Sequence, residues 1–180
     1  MAFAVTDFKS NMAAQSGSAR PSLYTVDING KNLTTSFTNN ENILCKAASI
    51  PASTIAPLAV NYAGRAYKWN GFRTFDNWTV TVINDEDFGI RNRMSQWMRL
   101  ISGQFDGTRN ISYGDQLLGR NWFDGDATVT QLSTSGKALA KYKFHYLWPT
   151  ELAGIPVDWS SDAVQEYTVT FAYDYWTHIS

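Results

Sequence analysis

Residues Gly71 to Gly103 read "GFRTFDNWTVTVINDEDFGIRNRMSQWMRLISG". Thr74 to Ile83 alternates apolar and polar side chains, the period of a half-buried strand. The period then changes. On a helix predicted over Asp85 to Ser102, Ile90, Met94, Trp97, Met98 and Ile101 fall at i, i+4, i+7, i+8 and i+11, one apolar stripe, and Gly103 stands where such a helix stops. Between strand and helix lie Asp85, Glu86 and Asp87. As chemistry they would form a carboxylate group or an oxygen-ligand metal site. As structure they open the helix: Asn84 or Asp85 accepts a hydrogen bond from a free N–H of the first turn, and Glu86 and Asp87 sit at the positive end of the helix dipole. Arg91, Arg93 and Arg99 follow further along. The sequence favours capping.

Outward from this segment the pattern is mostly β. Tyr24, Val26 and Ile28 alternate up to the Asn29-Gly30 turn. The run "ILCKAASI" is stopped by Pro51. Segments 58–62 and 65–69 flank Ala63-Gly64 as a long hairpin. "ATVTQLSTSGKALAKYKFHYLW" reads as a second hairpin with Ser133 to Lys137 at its tip. In a last strand Tyr167, Val169, Phe171, Tyr173 and Tyr175 face one way, and Thr168, Thr170, Ala172 and Asp174 the other. Residues 31–42 and 104–126 carry loop chemistry, and residues 1–20 read as a mobile N-terminal arm ahead of a single domain over 21–180. About seven strands and one long helix make a mainly β, antiparallel sandwich or barrel-like domain.

Composition narrows the function. The chain has 180 residues, a length that buries a sizeable core without disulfides. Only 17% of residues are charged while 14% are aromatic, so much of the surface is expected to be covered. A net charge of -1 lacks the positive excess of a protein that grips nucleic-acid phosphates. Cys45 is alone, and no Cys/His spacing suits zinc. No signal peptide or run of 18 apolar residues is present, so neither export nor membrane insertion is expected. The glycosylation-like triplets at Asn32, Asn77 and Asn110 read as chance matches.

Catalysis finds little support. His145 falls on the polar side of a strand with Lys141 and Lys143, and His178 is the third residue from the end. No phosphate-binding glycine loop occurs, and no spacing singles out a carboxylate pair among the sixteen acids. No enzyme activity, cofactor or metal is expected. A sugar-binding sandwich is the alternative from a different class, with Trp69, Trp78, Trp122, Trp148 and Trp159 as platform candidates. Trp78 and Trp148, on alternating strands, read better as core.

"ASIPASTIAPLAVNYAGRAYKWNGFRTFDNWTVTVINDEDF" resembles the signature of tail tube proteins of contractile-tailed, T-even-like bacteriophages. Its parts are a Pro-Ala turn, a Gly-Arg hairpin, Arg-Thr-Phe, Trp-Thr-Val-Thr-Val and Asn-Asp-Glu. "ARPSLYTVDI" upstream and "LWPTELAGIPVDWSSDAVQEYTVTFAYDYW" downstream are similar to the family's opening and closing segments, so the likeness spans Ala19 to Trp176. Its motif residues here are Arg73, Phe75, Trp78, Asn84, Asp85, Glu86 and Trp176. Phe72 stands where the family commonly carries an acid.

The resemblance implies a structural protein. Hexameric rings stack into a hollow tube inside the contractile sheath, each subunit gives about four strands to a continuous inner β-barrel, and DNA passes through without specific binding. Roughly 24 strands at about 4.8 Å spacing make a barrel about 45 to 50 Å across, wide enough for a duplex. The expected partners are further copies of the chain and the sheath, tape measure, baseplate and tail terminator proteins. The expected place is the tail of a virion assembled in the host cytoplasm. A phage-derived injection system would use the same tube for protein. After Lys143 come five acids and no Lys or Arg. Glu166, Thr168, Thr170, Ala172 and Asp174 are therefore expected to border the lumen. Pro57, Tyr62, Gly64, Arg65 and Lys68 are expected to make the contact between rings.

Overall fold

The computed structural model describes residues 5–14, 19–30, 44–102 and 125–179. Among them are two helices, α1 (Val5–Ala14) and α2 (Gly89–Ile101), and nine strands. The strands are β1 (Tyr24–Asn29), β2 (Cys45–Ala48), β3 (Thr54–Tyr62), β4 (Arg65–Thr74), β5 (Trp78–Ile83), β6 (Gly125–Leu132), β7 (Ala138–Leu152), β8 (Glu166–Ala172) and β9 (Tyr175–Ile179).

Every pairing is antiparallel, and β7 organises the domain. Its first part lies between β6 and β9, and β1 pairs with β6. Its last part pairs with β8, which continues through β5 to β2. Between the two parts Tyr146 adopts φ 57, a left-handed conformation that turns the strand from one half-sheet into the other. The far edges also meet, where Tyr24 Oη donates to the Cys45 carbonyl at 3.0 Å. The result is a nearly closed sandwich.

Alternation decides what fills it. Val26, Ile28, Val80, Val82, Val129, Phe144, Val169 and Phe171 come from alternate strand positions and are almost fully buried with Trp78. Trp78 stacks on Phe144 at 4.5 Å between ring centroids and meets Phe171 at 5.5 Å. Helix α2 adds Ile90, Met94 and Trp97 from its apolar stripe. Gly125 lets it approach, since a Cβ there would stand 2.8 Å from the Trp97 ring. Each of these large side chains contributes about 1.5 to 3 kcal/mol by leaving water.

Three expectations need correction. The helix begins at Gly89, four residues later than expected, because Phe88 takes φ 53 and cannot continue a right-handed helix backwards. The acids form a turn ahead of it, closed by Phe88 N–H on the Asp85 carbonyl at 3.0 Å. The strand expected over Thr74 to Ile83 is interrupted, as Thr74 ends β4 and Trp78 begins β5 in another sheet. The last strand is also two: β8 stops at Ala172, and after Tyr173-Asp174 the chain changes partner from β5 and the end of β7 to the start of β7. Within the expected arm, residues 5–14 form α1, which is exposed from Val5 to Asn11. The 31–42 loop, Gly103, Trp122 and residues 104–124 of the second loop lie outside the described residues. Gly125 and Asp126 already belong to β6.

Candidate functional site

The titratable groups His145, Cys45 and Tyr167 are perturbed chiefly by burial. His145 stacks on Tyr175 at 4.6 Å, and its Nε2 lies 2.8 Å from Thr177 Oγ1. Burial, and then Lys143, hold its pKa below the usual 6.5, with Asp126 opposing. Burial pushes the Cys45 thiol up to about 11, with Asp27 adding to the effect. It also raises Tyr167, whose ring lies under the Arg91 guanidinium at 5.2 Å. Among the described residues no group of three His, Cys, Asp or Glu is placed to hold a metal ion, and no helix is long and apolar enough to cross a membrane.

The hairpin β3–β4 is the feature a compact sandwich does not need. Every residue of β3 is exposed, and every residue of β4 except the half-buried Gly71. Ala63 at φ 51 and Gly64 at φ 75 make its two-residue turn, the left-handed pair a tight hairpin requires. Cross-strand partners share a face. Leu58 with Trp69, Val60 with Tyr67 and Tyr62 with Arg65 therefore form one continuous, mainly apolar face. Trp69 is 65% exposed and Tyr62 73%. Ala59 with Lys68 and Asn61 with Ala66 make the opposite face, which also carries Pro57. Five expected contact residues thus divide: Tyr62 and Arg65 on the apolar face, Gly64 at the tip, Pro57 and Lys68 behind.

Motif residues hold the hairpin's root. Trp78 Nε1–H donates to the Ser49 carbonyl at 2.9 Å, Trp176 Nε1–H to that of Ala52 at 3.3 Å, and Phe75 packs near Tyr173 at 6.0 Å. Arg73, opposite Ile55, and Phe72, 92% exposed, lie on the hairpin itself. The other motif group stands at the far end of β5. Asn84 Nδ2 donates to Gln165 Oε1 at 3.0 Å, and Asp85 Oδ2 accepts from Gly89 N–H at 3.0 Å, capping α2. Glu86 is exposed in the turn. Arg91 Nη1 donates to the Ala153 carbonyl at 2.9 Å and so ties the helix to the segment after β7.

The outer face of β8 is a hydroxyl surface. Thr168 opposes Thr81, and Thr170 opposes Thr79. Glu166 pairs with Lys46 at 2.6 Å, so this end of the face is less acidic than the sequence suggested. Ala172 ends the strand. Asp174 lies in the bend before β9, its N–H donating to the His145 carbonyl at 3.1 Å, outside the strand to which alternation assigned it. As for a sugar platform, Trp78 is core and Trp148 half-buried. Trp69 and Trp159 are exposed on separate segments that share no strand pairing. Lys46, Leu58 and Val60 were not singled out in the sequence. Leu58 and Val60 could have been found by counting outward from Ala63-Gly64, whereas nothing local marks Lys46.

The profile of the phage tail tube protein family matches residues 8–179, nearly the whole chain. The chain belongs to that family. It is 33% identical over 164 residues to tail tube protein gp19 of Enterobacteria phage T4, covering 88% of this chain and 90% of gp19. Its fold is similar to a chain of the anti-feeding prophage baseplate, at TM-score 0.66 and 12% identity, covering 90% of this chain and 95% of that one. It is also similar to one of the PVC extracellular contractile injection system sheath–tube complex, at TM-score 0.58 and 13% identity, covering 95% and 97%. The protein is thus a tail tube protein of a contractile-tailed phage, a structural component of the virion.

Proposed function

We propose that this tail tube protein assembles as stacked hexameric rings into a hollow tube, with the half-sheet β7–β8–β5–β2 lining the lumen. That half-sheet supplies four strands per subunit, and closing six of them into one barrel would remove the exposed edges of β2 and β7. Glu166, Thr168, Thr170 and Ala172 then face the channel, with Asp174 at its rim. Threonine hydroxyls, a paired Lys46–Glu166 and the exposed Glu151 opposite Thr170 offer a passing duplex no net positive charge to bind, which suits ejection of DNA.

The observation that carries the reading is the β3–β4 hairpin, exposed over nearly all its length with Leu58, Val60, Tyr67 and Trp69 on one face. Such an apolar surface on a soluble subunit marks an interface. The hairpin, with Pro57, Tyr62, Gly64, Arg65 and Lys68, reaches the neighbouring ring. Sheath, tape measure, baseplate and terminator proteins are the remaining partners, and assembly takes place in the host cytoplasm. Negative-stain microscopy of the purified protein, with its mass in solution, tests this: rings and tubes with a wide dark centre are expected. A chain that stays monomeric even on a baseplate template contradicts it.

A chain of an injection-system sheath–tube complex shares this fold. Identity of 33% to gp19 against 12% to the anti-feeding prophage chain favours the phage reading. Capsid and packaging genes beside this one would support DNA as cargo, and their absence would support protein.

A further inference from the structure

We infer that the β3–β4 hairpin of one copy docks on the 153–165 segment of a copy in the next ring, through apolar contact and opposite charge. The inference rests on the stacked-tube reading and names the two surfaces that meet.

Topology places them at opposite ends of the same strands. The hairpin's Thr74 comes four residues before Trp78, which pairs with Phe171 at one end of β5 and β8. The 153–165 segment runs into Glu166, which pairs with Ile83 at the other end, where Asn84 N–H also meets the Gln165 carbonyl at 2.9 Å. Five residues of strand separate the ends, about 17 Å. A contact between two different surfaces at opposite ends is heterologous, and its repetition gives an open stack.

Chemistry matches the surfaces. From Thr54 to Phe75 the chain has Arg65, Lys68 and Arg73 and no acid, and from Ala153 to Gln165 it has Asp158 and Asp162 and no base. None of these five charges has an ion-pair partner among the described residues. The acidic segment is also apolar: Trp159 is 100% exposed, Val157 83% and Val164 69%. Asp158 Oδ1 accepts from Ser160 N–H at 2.9 Å and from Ser160 Oγ–H at 2.7 Å, holding the turn that presents Trp159. An exposed tryptophan flanked by carboxylates on one end complements, on the other, a hairpin whose Leu58–Val60–Trp69 face carries Arg65 and whose reverse face carries Lys68.

Charge reversal tests the pairing. R65E/K68E and D158K/D162K are made separately and together, and assembly is read by sedimentation and negative stain at low salt. A weakening of about threefold per contact, ordinary for exposed ion pairs, compounds over six repeats to several hundredfold. Each double variant is therefore expected to keep the wild-type thermal transition while losing pelletable tubes, and the quadruple variant to regain them. Double variants that polymerise like wild type, or a quadruple variant that stays defective, overturn the pairing and leave the tube reading intact. Tubes of normal length that fail to recruit a sheath protein would assign the hairpin to that partner and also overturn it. A wild type that forms neither rings nor tubes removes the tube reading, and this inference with it.

Discussion

Strand β5 and hairpin β3–β4 are adjacent in the chain, alternate in the same way and end differently. Trp78, Val80 and Val82 are buried to 2% exposure or less, whereas Leu58, Val60 and Trp69 keep between 48% and 65%. Both have apolar residues at every second position; the difference lies in what covers them. β5 has β8 on one side, β2 on the other and the sandwich interior against its apolar face. β3 and β4 pair only with each other. Alternation therefore reports that a face will be buried, and leaves open whether the subunit or its neighbours will bury it.

Substitutions at matched positions sharpen the contrast. Phe171→Ala, in the core, is expected to cost about 3 to 5 kcal/mol and to lower the denaturant midpoint sharply. Removing the Asp85 cap with Asp85→Ala is expected to cost about 1 kcal/mol, read in the same titration. Trp69→Ser, on the hairpin, is expected to leave stability within about 0.5 kcal/mol while abolishing tubes in negative stain. Should Trp69→Ser instead destabilise the monomer as Phe171→Ala does, the division between the two regions fails. Glu166→Gln breaks only the exposed pair with Lys46 and is expected to change stability by about 0.5 kcal/mol or less.

The smallest effect is a pH dependence. Burial lowers His145 from 6.5, so the unfolded chain takes up the proton first as pH falls. Its contribution to stability is complete above about 6.5 and diminishes on acidification, and a thermal-shift series from pH 7.5 downward should lose this component in His145→Gln.

Much of this was legible where the signal is local. The apolar stripe of α2, the alternation of β5 and β8 and the turns at Ala63-Gly64 and Ser133–Lys137 depend on near neighbours in sequence, and the structure has them. Changes of partner are not local. Tyr167 through Tyr175 alternates without interruption, yet the chain leaves one half-sheet for another at Asp174, because the site it moves to is created by β7. The late start of α2 depends on one dihedral at Phe88, a residue type that seldom takes it. Helix α1 has Val5 and Phe8 exposed, so no buried stripe announced it. For the candidate site, the hairpin's excess length was readable. The neutralisation of Glu166 by Lys46, 120 residues away, was not.

An electron cryo-microscopy reconstruction of tubes grown from the purified chain tests the central claim most directly, since it shows what covers β3–β4. The account expects Leu58, Val60 and Trp69 to be buried against a copy in the next ring, with Thr168 and Thr170 facing the lumen. A tube in which the hairpin stays in solvent, or in which Thr168, Thr170 and Asp174 lie on the outer surface, would contradict it.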